Sequence, residues 1–245
     1  MIDLEKTKYG FEDLRRIMEL LRAPDGCPWD RAQDHASIRR YFLEEAYEAC
    51  DAIDRGNDCD LCEELGDVLL QVVFHSAIAQ SEGAFTLDDV CDGICRKMIR
   101  RHPKLFGGAG CAEWEQIKQE RFLSYAEAME HVARALPALT VSEKLTQKAK
   151  QAGFHQPDSL DKLGTALSAL RRAAEEQTHA ETALGDLLLE AAAVGQTLDI
   201  DPEHALQKAN DRFCRQFARM EEQAGDKLDT LPPEEQLRLW DGAQE

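Results

Sequence analysis

Five acidic side chains, in two groups sixteen residues apart, have the spacing that could do chemistry in this chain. The first group is Glu44, Glu45 and Glu48 in Leu43-Glu44-Glu45-Ala46-Tyr47-Glu48; the second is Glu64 and Asp67. On a helix, residues three or four apart stand side by side, so Glu45 and Glu48 share one face and Glu64 and Asp67 another. Arg55-Gly56-Asn57-Asp58 between them reads as a helix-to-helix turn. The two helices should therefore run antiparallel, with the two pairs face to face. Four carboxylates gathered between packed helices repel one another and lose solvation, and a divalent cation resolves that conflict. Oxygen-only ligands suit magnesium, or manganese in its place, ions that keep several waters and accept phosphate oxygens. A lone Glu-Glu-x-x-Glu in an acidic chain is more often a solvated helix face. The second pair, beside Leu65, Val68, Leu69 and Leu70, argues for a packed site.

Cations follow. Lys97 and Arg101 lie one helical turn apart in Arg96-Lys97-Met98-Ile99-Arg100-Arg101-His102, and Trp114 and Lys118 repeat that interval. A triphosphate held by a metal needs such groups on its other side, to grip non-bridging oxygens and steady the charge on a departing pyrophosphate. Arginine grips two oxygens at once, whereas lysine acts as a point charge. Trp114 could lie against a base or close the site; the alternative is an ordinary core aromatic. Arg100 and His102 could equally be surface charges.

The elements that must position these residues are helices. Apolar residues recur at three- and four-residue spacing, and no strand-like alternation persists. The pattern predicts helices near 11–23, 37–55, 59–82, 87–102, 113–130, 142–151, 159–177, 181–198, 202–224 and 233–241. Asp201-Pro202 reads as an N-cap with proline at the first helical position. Thr86 and Asp89 make a capping box with aspartate in place of glutamate, and Gly56 and Gly83 can close helices in the left-handed conformation. Glu64-Leu-Gly-Asp67-Val-Leu-Leu-Gln is echoed by Ala183-Leu-Gly-Asp186-Leu-Leu-Leu-Glu, and each is followed by a helix with basic residues and then a tryptophan, Trp114 or Trp240. A tandem duplication explains this, with domains at 1–130 and 141–245.

Composition excludes some trades. A net charge of -18 repels nucleic-acid backbones and anionic membranes. No spanning or export segment is visible, so a cytoplasmic location is expected. The eight cysteines are then expected to be reduced. Cys59 with Cys62 and Cys91 with Cys95 fall inside apolar helical periodicity, where cysteine serves as a small hydrophobe rather than a zinc ligand.

Taken together, Glu44-Glu45-x-x-Glu48, Glu64-x-x-Asp67, the upstream Gly26-Cys27-Pro28-Trp29-Asp30-x-x-Gln33-x-His35, Lys97-x-x-x-Arg101-His102-Pro103 and Trp114-x-x-x-Lys118 resemble the MazG nucleoside triphosphate pyrophosphohydrolase family. The resemblance covers essentially the whole chain. It implies an all-α fold of two tandem helical-bundle domains, a homodimer, and magnesium-dependent cleavage of nucleoside triphosphates to monophosphate and diphosphate. It also implies that Glu45, Glu48, Glu64 and Asp67 bind metal and that Glu44 positions or deprotonates the attacking water. Lys97, Arg101 and Lys118 would contact phosphates, with Arg100 and Trp114 beside them. Trp29, Asp30 and Gln33 would shape the nucleotide pocket.

The second half departs from this pattern. Ala183 stands where the first half has Glu64, no acidic residue lies between Leu163 and Ala174, and Arg212 and Gln216 replace Lys97 and Arg101. Asp186 alone cannot assemble an oxygen cage, so the C-terminal copy is expected to have a degenerate metal site and to support dimerisation or regulation. Three rival readings remain. A carboxylate-bridged di-metal redox bundle would carry Glu-x-x-His pairs, of which only Glu176-x-x-His179 is present, in the second half. The others are a catalytically weak interaction or regulatory protein, and a triphosphatase that removes only the γ-phosphate.

Overall fold

Caps and chain breaks set the helix ends in the computed structural model, which describes residues 2–107, 124–154 and 159–243. The described residues form helices and turns without a strand. In order, the helices are α1 (Phe11–Leu21), α2 (Pro28–Ala32), α3 (His35–Arg55), α4 (Asp58–Ser81), α5 (Leu87–Arg101) and α6 (Pro103–Phe106). They continue with α7 (Tyr125–Glu130), α8 (Ala138–Gln151), α9 (Ser159–Glu175), α10 (Ala180–Thr197) and α11 (Pro202–Ala224). A 3-10 turn, Gly225–Thr230, then leads to α12 (Pro233–Gly242). The chain divides into two compact units, residues 1–112 and 113–245.

In the first unit, α3 begins at the Asp34 N-cap, whose side chain accepts from the Ser37 amide while the Ser37 hydroxyl accepts from the Asp34 amide. It ends at Gly56, whose φ of 65° lies in the left-handed region where a side chain would be strained. Asn57 then caps α4 by accepting from the amides of Cys59 and Asp60. Two long helices joined by so short a turn fold back as an antiparallel hairpin, as the spacing predicted. The expected capping box at Thr86 and Asp89 starts α5.

Core and carboxylates occupy opposite ends of that hairpin. Met18, Ile38, Val73, Phe74, Ile78 and Leu87 pack together, joining α1, the start of α3, the second half of α4 and the start of α5. The first half of α4 and the middle of α3 carry the acidic groups. This end is apolar too, but uncovered: Tyr47, Ile53, Leu65 and Leu69 are exposed, as are Ile94 and Ile99 on α5. Cys50, Cys59, Cys62, Cys91 and Cys95 are also exposed, which corrects the expectation that the paired cysteines serve as buried small hydrophobes.

The second unit repeats a helical hairpin, α9 with α10, against which α8 packs; α11 lies on α8 and carries α12. Its buried positions are small: Ala173, Ala183, Ala192, Ala193 and Gly195, with Met220 on α11. Asp201 caps α11 ahead of Pro202, as expected. Helix α8 starts four residues before its expected boundary, after Pro137. Of the helix expected over 113–130, residues 124–130 are described, Ser124 capping α7 at 125–130; residues 113–123 lie outside the described residues.

Candidate active site

The loop entering α3 is built as tightly as a helix. Gly26 is obligatory there, because a Cβ would stand 2.3 Å from the carbonyl oxygens of both Leu20 and Leu21. That approach lets the Cys27 amide donate to Leu21 at 2.8 Å. Pro28 then opens α2, a short helix outside the set predicted from periodicity, although proline at the first helical position is its signal. The Gln33 amide spans the loop, Nε2 donating to the Trp29 carbonyl at 2.9 Å and Oε1 accepting from the Ser37 hydroxyl at 2.8 Å. Trp29 remains 53 % exposed, its ring inclined against Tyr41 and Phe74 with centroids 6.4 Å away in each case.

One helical turn beyond Tyr41, the carboxylates converge. An oxygen from each of Glu45, Glu48 and Glu64 lies within 4.8 Å of the other two, the one such group of possible metal ligands among the described residues. Burial, then the charges of Asp67, Glu48, Glu64 and Glu44, push the Glu45 carboxyl above its ordinary range. Burial, then Glu48 and Asp67 foremost among its acidic neighbours, does the same to Glu64. Asp67 stands outside the group of three and acts on both through its charge. Glu44 is exposed beside them. Among the described residues, every charge that shifts these two groups is negative.

The basic residues expected to face this cluster are carried by α5. Lys97 and Arg101 are half-buried on α5, one turn apart, and Arg100 is exposed. Among the described residues Lys97 has no ion pair within 4.0 Å, while Arg96 is engaged by Asp92 at 2.6 Å. Trp114 and Lys118 lie outside the described residues. Three features were not anticipated from sequence. His35 and His75 stack with ring nitrogens 2.8 Å apart, and burial, then His35, lowers the basicity of His75. Gln71, one turn beyond Asp67, is buried with its amide oxygen unpartnered. Arg22 binds the loop's carbonyls. These residues sit in apolar or loop sequence whose periodicity signals only packing.

In the second unit Ala183 is buried at the position matching Glu64, and Asp186 is exposed. Glu176 and His179 fall in the turn between α9 and α10, with His179 at φ 53°, so this pair does not line the interior of a bundle as a di-metal redox site requires.

The MazG nucleotide pyrophosphohydrolase domain matches residues 33–106, a span that holds all the carboxylates together with Lys97 and Arg101. Over 96 % of this chain and 95 % of its own length, a nucleoside triphosphate pyrophosphohydrolase/pyrophosphatase MazG of Thermotoga maritima is 41 % identical. This chain belongs to the MazG family. A nucleoside triphosphate pyrophosphohydrolase of Escherichia coli K12 is 39 % identical over 85 % of this chain and 86 % of its own. The uncharacterized protein YabN of Bacillus subtilis is 38 % identical over 98 % of this chain, which spans only 53 % of that relative. The match to the MazG domain coincides with the α3–α4 hairpin and α5, the part of the chain that carries the acidic cluster. No described helix is long and apolar enough to cross a membrane.

Proposed function

We propose that this MazG-family chain hydrolyses nucleoside and deoxynucleoside triphosphates to monophosphate and diphosphate, with magnesium at the α3–α4 carboxylates. The observation that carries the reading is the oxygen trio of Glu45, Glu48 and Glu64 within 4.8 Å, two of its members held above their ordinary pKa. Carboxylates that resist ionisation because burial strips their solvation and like charges crowd them are relieved by a hard cation, and an all-oxygen set fits magnesium, or manganese in its place. Glu45, Glu48 and Glu64 would hold the ion, with Asp67 as the fourth acidic group. When bound, magnesium supplies Lewis acidity toward the phosphate oxygens and neutralises their charge.

The chain's own residues do the rest. Glu44, exposed beside the trio, accepts a proton from the attacking water as that water's oxygen bonds to the α-phosphorus. The bridging bond between the α- and β-phosphates breaks, and its electrons leave with pyrophosphate. Lys97 and Arg101 on α5, with Lys118, hold the β- and γ-phosphates and steady that leaving charge. Lys97, which forms no ion pair within 4.0 Å among the described residues, would offer its charge to phosphate. Trp29, Asp30 and Gln33 form the loop at the nucleoside end, and Arg100 and Trp114 complete the binding set.

The second unit is read as a tandem MazG-like domain whose metal site has decayed, since a buried alanine replaces the key glutamate. The apolar residues left uncovered on α4 and α5 support a homodimer formed through that end. A cytoplasmic enzyme acting on the nucleotide pool fits these properties. Product analysis tests the reaction. With magnesium and a panel of triphosphates, the expected products are pyrophosphate and monophosphate; orthophosphate and diphosphate would replace this reading with γ-phosphate removal.

A further inference from the structure

Arg22, at the C-terminal end of α1, spends its charge in an unusual way for an acidic chain. Among the described residues it forms no ion pair with a carboxylate. Instead its Nη1 donates to the carbonyl oxygens of Asp30 at 2.5 Å and Gln33 at 3.3 Å, on the last turn of α2 and the residue after that helix. The guanidinium carbon lies 5.5 Å from the centroid of the Phe74 ring. That ring is one of the two that support the Trp29 indole. Arg22 therefore ties three elements together: the end of α1, the loop that presents Trp29, and the buried aromatic on α4.

The indole so held has the form of a platform. Its planes meet Tyr41 and Phe74 at 60° and 61°, so neither of these contacts is a parallel stack, and over half of the residue faces solvent. An aromatic ring held by two neighbours and still more than half exposed suits a flat ring, and stacking accepts any base because every base has a π-face. Its location agrees with its form. Tyr41 lies one turn before Glu45 on α3, about 6 Å along the helix axis, so phosphates at the carboxylates would direct the nucleoside toward Trp29.

We propose that Arg22 is a positioning residue that fixes the Trp29 indole as a stacking platform for the nucleobase. The inference rests on the triphosphate hydrolysis proposed above. One nitrogen, Nη1, reaches both carbonyls while the guanidinium lies on the Phe74 ring; a lysine ammonium can replace those hydrogen bonds but not the planar group on the ring.

Steady-state kinetics on the full chain with magnesium test this, using a nucleoside triphosphate and ribose 5′-triphosphate, which has the same phosphates and no base. The quantity read is the ratio of kcat/KM for the two substrates. Arg22→Ala is expected to lower that preference about tenfold through KM, and Arg22→Lys to recover part of it. Trp29→Leu should give the same loss, and the double variant should add little to either single change, since both act on one contact. An unchanged ratio in Arg22→Ala, or equal losses on both substrates, would overturn the proposal. If Arg22→Ala does not fold, Arg22→Lys with Trp29→Leu decides: full preference in either one overturns it. A wild-type chain that hydrolyses neither substrate sinks the triphosphate reading itself, whereas an active wild type with an unmoved ratio sinks only the role of Arg22.

Discussion

Glu45 carries the tension of the site in its own ionisation. Burial and four acidic neighbours raise its pKa, so the folded, metal-free protein works against its charge. A raised folded-state pKa means stability that is present below the unfolded value and lost as pH rises through the folded one. Without divalent ions, Glu45→Gln should therefore melt higher than wild type at neutral pH, with the gap closing as the pH falls into the carboxylate range. Added magnesium should stabilise wild type and leave the variant nearly unmoved. Thermal melts with chelator or magnesium check both; a variant that melts lower without metal would show that the acidic cluster is not strained. His75 runs the other way. Its folded-state pKa is depressed by burial and by His35, so its contribution is present above the ordinary histidine range and fades as pH falls through the depressed value. Wild type should lose melting temperature on acidification, and His75→Gln should flatten that part of the profile.

The α3–α4 hairpin is where sequence and structure agree most closely. The Gly56 turn and the antiparallel arrangement follow from helical spacing, because helix periodicity is local and the turn has its own chemistry; of the four carboxylates expected to converge, Glu45, Glu48 and Glu64 gather and Asp67 stands outside the group. The loop before it was less legible. Gly26 is needed because of two carbonyls on α1, and Arg22 matters because of a ring on α4; neither neighbour can be inferred from spacing along the chain. The cysteines show the same limit: apolar periodicity implies a packed face, yet the face on α4 and α5 is exposed. Two predictions belong to these elements. Asp34→Ala removes the reciprocal cap of α3 and should cost about 1 kcal/mol, read as a fall of roughly 2–4 °C in melting temperature. Gly26→Ala forces the loop away from α1 and, with the loop at the nucleoside end as proposed, should raise KM for nucleoside triphosphates with a smaller change in kcat.

Across the whole molecule, the two units offer the same hairpin with unequal chemistry. The first unites three glutamates; the second places a buried alanine and an exposed aspartate at the matching positions. The exposed apolar end of the first unit should be covered by a second copy, so Leu69→Asp is expected to shift the chain toward monomer in sedimentation velocity, and an unaltered profile would remove that surface from the interface. The central claim is that the carboxylates of α3 and α4 hold the metal and the second unit does not. The most direct measurement is the rate of pyrophosphate release at saturating magnesium for wild type, Glu48→Gln, Asp67→Asn and Asp186→Asn. The account predicts a loss of at least about 100-fold in the first two variants and near-wild-type turnover in the third. Turnover that survives Glu48→Gln and Asp67→Asn, or that persists after a chelator has removed divalent ions, would contradict it.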